Sequence, residues 1–421
     1  MKRILSFIIA AVTAAAAAAF PAYADAATDE LGDYIVGHLN DYHSAQIDIG
    51  GYVDKYGWTK DQTINMVTSV YYSHPELFFV KNAFTYSYDS SKIYTVGFEY
   101  SIPQASLDAA KKQLDSAAEE AVAGITDDMS DVDKALYVHD YIILNCRYDY
   151  SRRKYNAFDC LVSNSCVCQG YTLAYSYILN NYLGIDCTAV YSFTEDHIWN
   201  YVKIGNNWYH VDLTLDDVND TDGSKNYDRY GGIHHDNFLI SDKKCRSTSS
   251  MHRNWYVAGN FGTASDTSYD SAFWNGVNSA LCYVDGNYYY LSDGGKDDDL
   301  KHTINIRRYS ISDQTSKVVA KLKSCWYCTR PAAGAQSFEY GTRSYLDIYS
   351  SVAYRKGKLY FNSNKCVYSL DLSTKTAKKI YTLDKGDDMQ IFGMVMVGGK
   401  LRLAYRKDLT YRETYMKLVF N

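Results

Sequence analysis

Cys166-Val167-Cys168-Gln169-Gly170-Tyr171-Thr172 is the stretch on which the reading of this chain turns. Behind it, Tyr171, Ala174, Tyr175, Ile178, Leu179, Tyr182 and Leu183 recur at the spacing of one apolar helix face, and Gly184 is a natural stop. Cys168 therefore stands at the N-terminus of an amphipathic helix. Free backbone N–H groups and the helix dipole there favour a thiolate and can hold a tetrahedral oxyanion beside it. Gln169 and Gly170 would admit a substrate backbone close to the sulfur.

Two further stretches complete a pattern. Residues His197 to Ile204 alternate in polarity, as do Asn207 to Leu213, and Gly205-Asn206 is a good two-residue hairpin turn. That turn sets residues whose numbers sum to 411 opposite each other. His197, Trp199, Tyr201, Trp208, His210, Asp212 and Thr214 then share one face, and Ile198, Val202, Ile204, Tyr209, Val211 and Leu213 share the apolar one. Asp212 becomes the diagonal neighbour of His197, placed to orient its imidazole. A lone core cysteine, strand histidine or strand aspartate is ordinarily structural. A helix-terminal thiol followed by a hairpin with His and Asp on one polar face is what covalent acyl transfer needs. His210 shares that face and is the second candidate base.

These blocks resemble the transglutaminase-like superfamily, with its Gly-Val-Cys-x-Gly-Tyr turn, His-Ala-Trp-Asn strand and Asp-x-Thr-Trp strand. Cys168, Gly170 and Tyr171 match the first, His197, Trp199 and Asn200 the second, and Asp212 and Thr214 the third. Lys134-Ala-Leu-Tyr-Val-His-Asp140, Asn237-Phe-Leu-Ile-Ser-Asp242 and His74-Pro-Glu-Leu-Phe78 resemble flanking segments of the secreted bacterial transglutaminase/protease-like cytokinesis-protein group. The resemblance spans roughly residues 60–255. Cys166, Ile198 and Leu215 depart from the usual Gly, Ala and Trp, and none of these is a triad position. The resemblance implies an α+β, papain-like core, with a helix-borne Cys packed on an antiparallel sheet. It also implies a Cys168, His197, Asp212 triad acting on peptide or protein amides through a thioester, as a cysteine protease, amidase or acyltransferase. Hydrolysis is the first expectation and transglutaminase-type cross-linking the second. Gln169, Gly170 and Trp199 are the expected substrate- or oxyanion-binding residues, and no cofactor or metal is expected.

Four parts are expected along the chain: a signal peptide at 1–24, an N-terminal α/β region at 25–125, the catalytic core at 126–260 and a β-rich domain at 270–421. Lys2 and Arg3 precede an apolar run from Ile4 to Ala19, and Ala22-Tyr23-Ala24 has a small-x-small cleavage pattern. The chain is thus expected to be exported, secreted or held at the cell envelope, with no membrane span after cleavage. Cleavage leaves 41 basic against 49 acidic side chains, about −8 in net charge. No Lys/Arg cluster suits phosphate, so nucleic acid is an unlikely partner class.

Helices are expected at Leu31 to Tyr42, Thr59 to Ser73 and Ala105 to Gly124, with strands at Leu77 to Val80 and Tyr94 to Tyr100. Ser130 and Asp133 have capping-box spacing ahead of another helix, and His139 sits in its apolar stripe as a core residue. After about residue 270, tyrosines and Asp/Gly turns become dense. Strand starts recur at Asp285-Gly286, Lys356-Gly357 and Gly398-Gly399, which fits a separate all-β domain, partial propeller-like or sandwich. Its aromatic faces would suit a glycan, and a non-catalytic glycan-binding protein is the reading from a different class. Wall peptide is a candidate substrate of the thiol chemistry.

The acidic run Asp216 to Gly223 fails calcium-loop spacing and reads as a solvated loop, as does Lys296 to Leu300. Cys325 and Cys328 lack the second pair that zinc needs and read as a disulfide or packed thiols. Ten cysteines in this length do not make a disulfide scaffold.

Overall fold

The computed structural model describes residues 3–8, 24–43, 46–89, 91–222, 225–258, 262–296, 301–327, 350–384, 389–397, 399–407 and 415–420. Two compact units interleave along the chain. One comprises residues 1–124, 146–214 and 237–271, and the other 125–145, 215–236 and 272–421.

The first unit contains the cysteine helix and a five-stranded antiparallel sheet. Its strand order is Phe238–Ile240, Asn207–Val211, His197–Ile204, Cys187–Ser192 and Tyr256–Val257. The central hairpin has the expected register: Asn200 faces Val211, Tyr201 faces His210 and Ile204 faces Asn207. Gly205 supplies the turn with φ 60°. Pairing stops at Val211, so Thr214 does not oppose His197; it lies in a short helix, Leu213–Asp216. The helix Cys168–Ile178 packs on this sheet through Thr172, whose hydroxyl donates to the Ile198 carbonyl at 3.2 Å. Asn200 donates to the Thr172 carbonyl at 3.0 Å and to Ser176 Oγ at 2.9 Å. A polar zipper therefore fixes the helix against the strand that carries His197. The helix ends in a π-turn, Leu179–Leu183, closed by Gly184 at φ 65°.

A second sheet in this unit pairs Val80–Tyr88 with Ile93–Tyr100. Arg3–Ile8 and Ile47–Asp48 lie on its outer edges. Thr59 caps the helix Lys60–Ser73 with a full capping box to Gln62. Leu77 does not open a strand as expected. Pro75–Leu77 is a 3₁₀ turn, because Pro75 at its start cannot donate to a ladder.

The second unit contains the helix Asp131–Asn145, started by reciprocal bonds between Ser130 and Asp133. It also contains the hairpin Asp217–Asp222 with Lys225–Ile233 and three successive antiparallel sheets. Each recurring Gly turn opens the second strand of its own sheet: Asn287–Lys296, Lys358–Asn362 and Lys400–Lys407 follow Gly286, Gly357 and Gly399, all at φ near 70°. Leu291, Ile304 and Ile306 share an apolar cluster with Leu359, Phe361 and Leu370. Val367 shares another with Ile391, Met394, Leu401 and Leu403. Asp216 and Asp217 are not a solvated loop, since both are buried. Residues 297–300, Cys328 and Gly223 lie outside the described residues. Among the described residues, no helix is long and apolar enough to cross a membrane.

Candidate active site

Cys168 is the first residue of its helix and is half-buried. Val167 gives no side-chain cap, and its carbonyl takes the N–H groups of Gly170 and Tyr171. The N–H groups of Cys168 and Gln169 stand in the first turn of the helix, where no intrahelical acceptor reaches them. His197 opens its strand directly after Asp196, which turns the chain at φ 49°. An aspartate tolerates that left-handed conformation better than most residues.

Asp212 meets His197 just beyond the end of the partner strand. The His197 Nε2–H donates to Asp212 Oδ2 at 2.6 Å, and Cys168 is close enough to the same ring to raise its pKa. With Nε2 engaged, Nδ1 is the nitrogen left for the thiol. Burial by itself would lower the His197 pKa. The charge and hydrogen bond of Asp212, then Cys168, outweigh burial and raise it to about 10. Burial would raise Asp212, yet His197 and then a second histidine hold its carboxyl well below the usual range. The structure thus brings together the three residues singled out from sequence. Residues 115–213 match the family model of the transglutaminase-like superfamily.

This segment is a transglutaminase-like core.

A solved structure described as a TGase is similar at 15% identity and a TM-score of 0.24, over 35% of this chain and 46% of that one. This chain therefore spans less than half the length of that protein. No curated protein matches the sequence.

Around the triad, the transglutaminase-like core departs from several expectations. Gly170 does not open a path for substrate. A Cβ there would stand 2.3 Å from Cys166 Cβ and 2.6 Å from its sulfur, so the missing side chain makes room for Cys166. Gln169 is buried, and its amide donates to Asn82 Oδ1 at 3.0 Å; it ties the first helical turn to the strand Val80–Tyr88. Trp199 is not an oxyanion donor, because its Nε1–H is spent on His210 Nδ1 at 2.9 Å. Its indole instead stacks beside His197, with centroids 5.5 Å apart and planes at 21°.

His210 is excluded as a base by the same bond. Its Nδ1 lone pair accepts from Trp199, and its Nε2–H donates to Asp242 at 2.8 Å. Burial, the largest influence, lowers its pKa and keeps it neutral.

Cys166 sits with Cys146 and Cys160 in a buried group of thiols, with the Cys146 and Cys166 sulfurs 3.5 Å apart. Burial pushes the Cys166 and Cys160 thiols up. Cys166 is therefore a buried packing residue.

Sequence reasoning missed His252. Its Nε2–H donates to Asp212 Oδ2 at 2.8 Å, the same oxygen that His197 uses. Its Nδ1 lies against the Cys245 carbonyl and Thr248 Oγ1, and its ring is fully buried 4.7 Å from Trp199. No local pattern marks it. It follows the helix Asp242–Thr248 in an irregular segment, and only the return of the chain brings it to Asp212.

Proposed function

We propose that this protein is an exported thiol enzyme that cleaves peptide or protein amides through a Cys168 thioester. The observation that carries this reading is one imidazole, His197, held by Asp212 at 2.6 Å and close enough to a sulfur at a helix N-terminus for the sulfur to raise the ring's proton affinity. The Cys168 proton rests on His197, and the thiolate of this pair attacks the carbonyl carbon. The backbone N–H groups of Cys168 and Gln169 receive the oxyanion. The C–N bond breaks as the imidazolium passes its proton to the leaving amine. Water, activated by the same imidazole, then releases the acid and returns the pair. Asp212 holds the ring throughout and steadies its positive charge.

Export is supported by the basic start, apolar run and cleavage pattern of residues 1–24. Processing there would remove the strand Arg3–Ile8 from the edge of Val80–Tyr88. For the Tyr-rich residues 270–421 we propose a glycan-contacting role.

The test is mass spectrometry of peptides and proteins incubated with wild type and Cys168→Ala, with and without an added primary amine. Cleavage that needs Cys168 and incorporates no amine supports hydrolysis. Amine incorporation would replace it with cross-linking. No Cys168-dependent product, together with equal slow alkylation of all thiols, would sink the enzymatic reading.

A further inference from the structure

The second unit holds a group of side chains that the thiol chemistry does not use. His139 and Asp140 are neighbours on the helix Asp131–Asn145, and His235 follows the strand Lys225–Ile233. His139 Nδ1 and His235 Nε2 each lie 3.0 Å from the same oxygen, Asp140 Oδ1. Both rings are fully buried, and the Asp140 side chain is nearly so. The three ligand-type atoms converge within 4.8 Å of one another. We propose that His139, Asp140 and His235 bind a divalent transition-metal ion of the zinc class.

Proton accounting leads there. His235 Nδ1 lies 2.9 Å from the Val277 carbonyl, which only accepts, so that nitrogen carries hydrogen. In a neutral ring, Nε2 then presents a lone pair to a carboxylate oxygen, and the two repel. His139 stands in the same position, with Nε2 3.2 Å from Asp216 Oδ2 and Nδ1 on Asp140. Two buried rings thus aim one nitrogen each at a single carboxylate oxygen. A divalent ion seated between them would be met by two imidazole nitrogens and one carboxylate oxygen. Both inner nitrogens then bear the lone pairs that a metal requires.

The surroundings have the form of an outer shell. Metal-bound histidines ordinarily give their other N–H to a carboxylate or a backbone carbonyl. Here Asp216 and the Val277 carbonyl fill those two roles. The Leu281 N–H donates to Asp140 Oδ2 at 2.9 Å and fixes the third ligand. Donors bound at zinc distances in tetrahedral geometry stand about 3.3 Å apart; the two nitrogen–oxygen separations here are 3.0 Å, and the ring nitrogens lie within 4.8 Å of each other. Two imidazoles and one carboxylate suit zinc better than calcium or magnesium, which take oxygen. The ion would join two stretches distant in sequence, at residues 131–145 and 215–236, and its ligands are in turn bonded to Val277 and Leu281. It would therefore act as a staple of the second unit.

The test uses untagged full-length protein, with bound metal measured by elemental mass spectrometry after exhaustive dialysis. The expected result is about one zinc per chain in wild type and in Cys160→Ser, and under about a tenth of that in His235→Gln. Cobalt substitution should give the visible d–d bands of a tetrahedral site, absent in His235→Gln. Should that variant fail to fold, wild type alone decides: a strong chelator should lower its melting temperature by several degrees, and zinc should restore it. A metal-free wild type whose melting temperature ignores both chelator and zinc overturns the proposal. So does metal that is lost in Cys160→Ser and kept in His235→Gln, which would place it at the thiol group. Neither readout depends on Cys168 chemistry, so failure here leaves the proposed activity untouched.

Discussion

Asp212 Oδ2 is shared by two imidazoles, at 2.6 Å to His197 and 2.8 Å to His252, and that oxygen connects the triad to the rest of the core. Asp212→Asn keeps the shape but replaces a charged acceptor with an amide that can turn a donor toward His197. A loss of about 10³-fold or more in kcat is expected, measured by steady-state peptide cleavage. A variant within a few-fold of wild type would remove Asp212 from the mechanism. His252→Ala leaves a buried carboxylate short of one donor. It should lower stability by about 1–3 kcal/mol in urea unfolding. An unchanged midpoint would mean that another donor replaces the ring.

The cysteine helix depends on its first turn lying against Cys166. Gly170→Ala forces a Cβ into the 2.3 Å gap, and nearby backbone at Asn156 O, 3.2 Å away, leaves little room to yield. A destabilisation of about 1–3 kcal/mol is expected. Adding Cys166→Gly should recover most of it, because the clash is pairwise. Urea midpoints of the two single variants and the double variant form the cycle. Additive losses would show that the clash lies elsewhere. The helix itself was legible because its apolar stripe and Gly stop are local signals. The hairpin register was legible because one two-residue turn fixes every pair in it. The strand at Leu77 was misread because its apolar run has the same composition as a buried 3₁₀ turn. Asp216 was misread because acidity alone does not reveal the buried His139 3.2 Å away.

Across the folded chain, pH should act through the same pair that forms the candidate site. The pKa of His197 rises from its ordinary 6.5 to about 10, so the fold holds that proton more tightly than the unfolded chain does. Its contribution is complete below pH 6.5 and is lost as pH climbs to about 10. Asp212 works in the opposite sense. Its carboxyl is depressed from 3.8, so its contribution is present above that pH and is lost as pH falls further. Urea midpoints of wild type should therefore fall between pH 6.5 and 10, and His197→Gln should flatten that limb. Parallel limbs in the two proteins would show that His197 gains no proton affinity on folding.

What the sequence determined by itself was whatever travels with local spacing. That includes a thiol at the head of an amphipathic helix, a hairpin with His197 and Asp212 diagonal on one face, and recurring Gly turns that each open a strand. Periodicity and turn chemistry act over a few residues, so they can be read without the fold. Only the tertiary structure decided which polar groups spend their hydrogen bonds on each other. It gave His252 to Asp212 and His235 to Asp140. Those pairings join residues far apart in the chain, and a buried donor must take whatever acceptor the packed interior sets beside it.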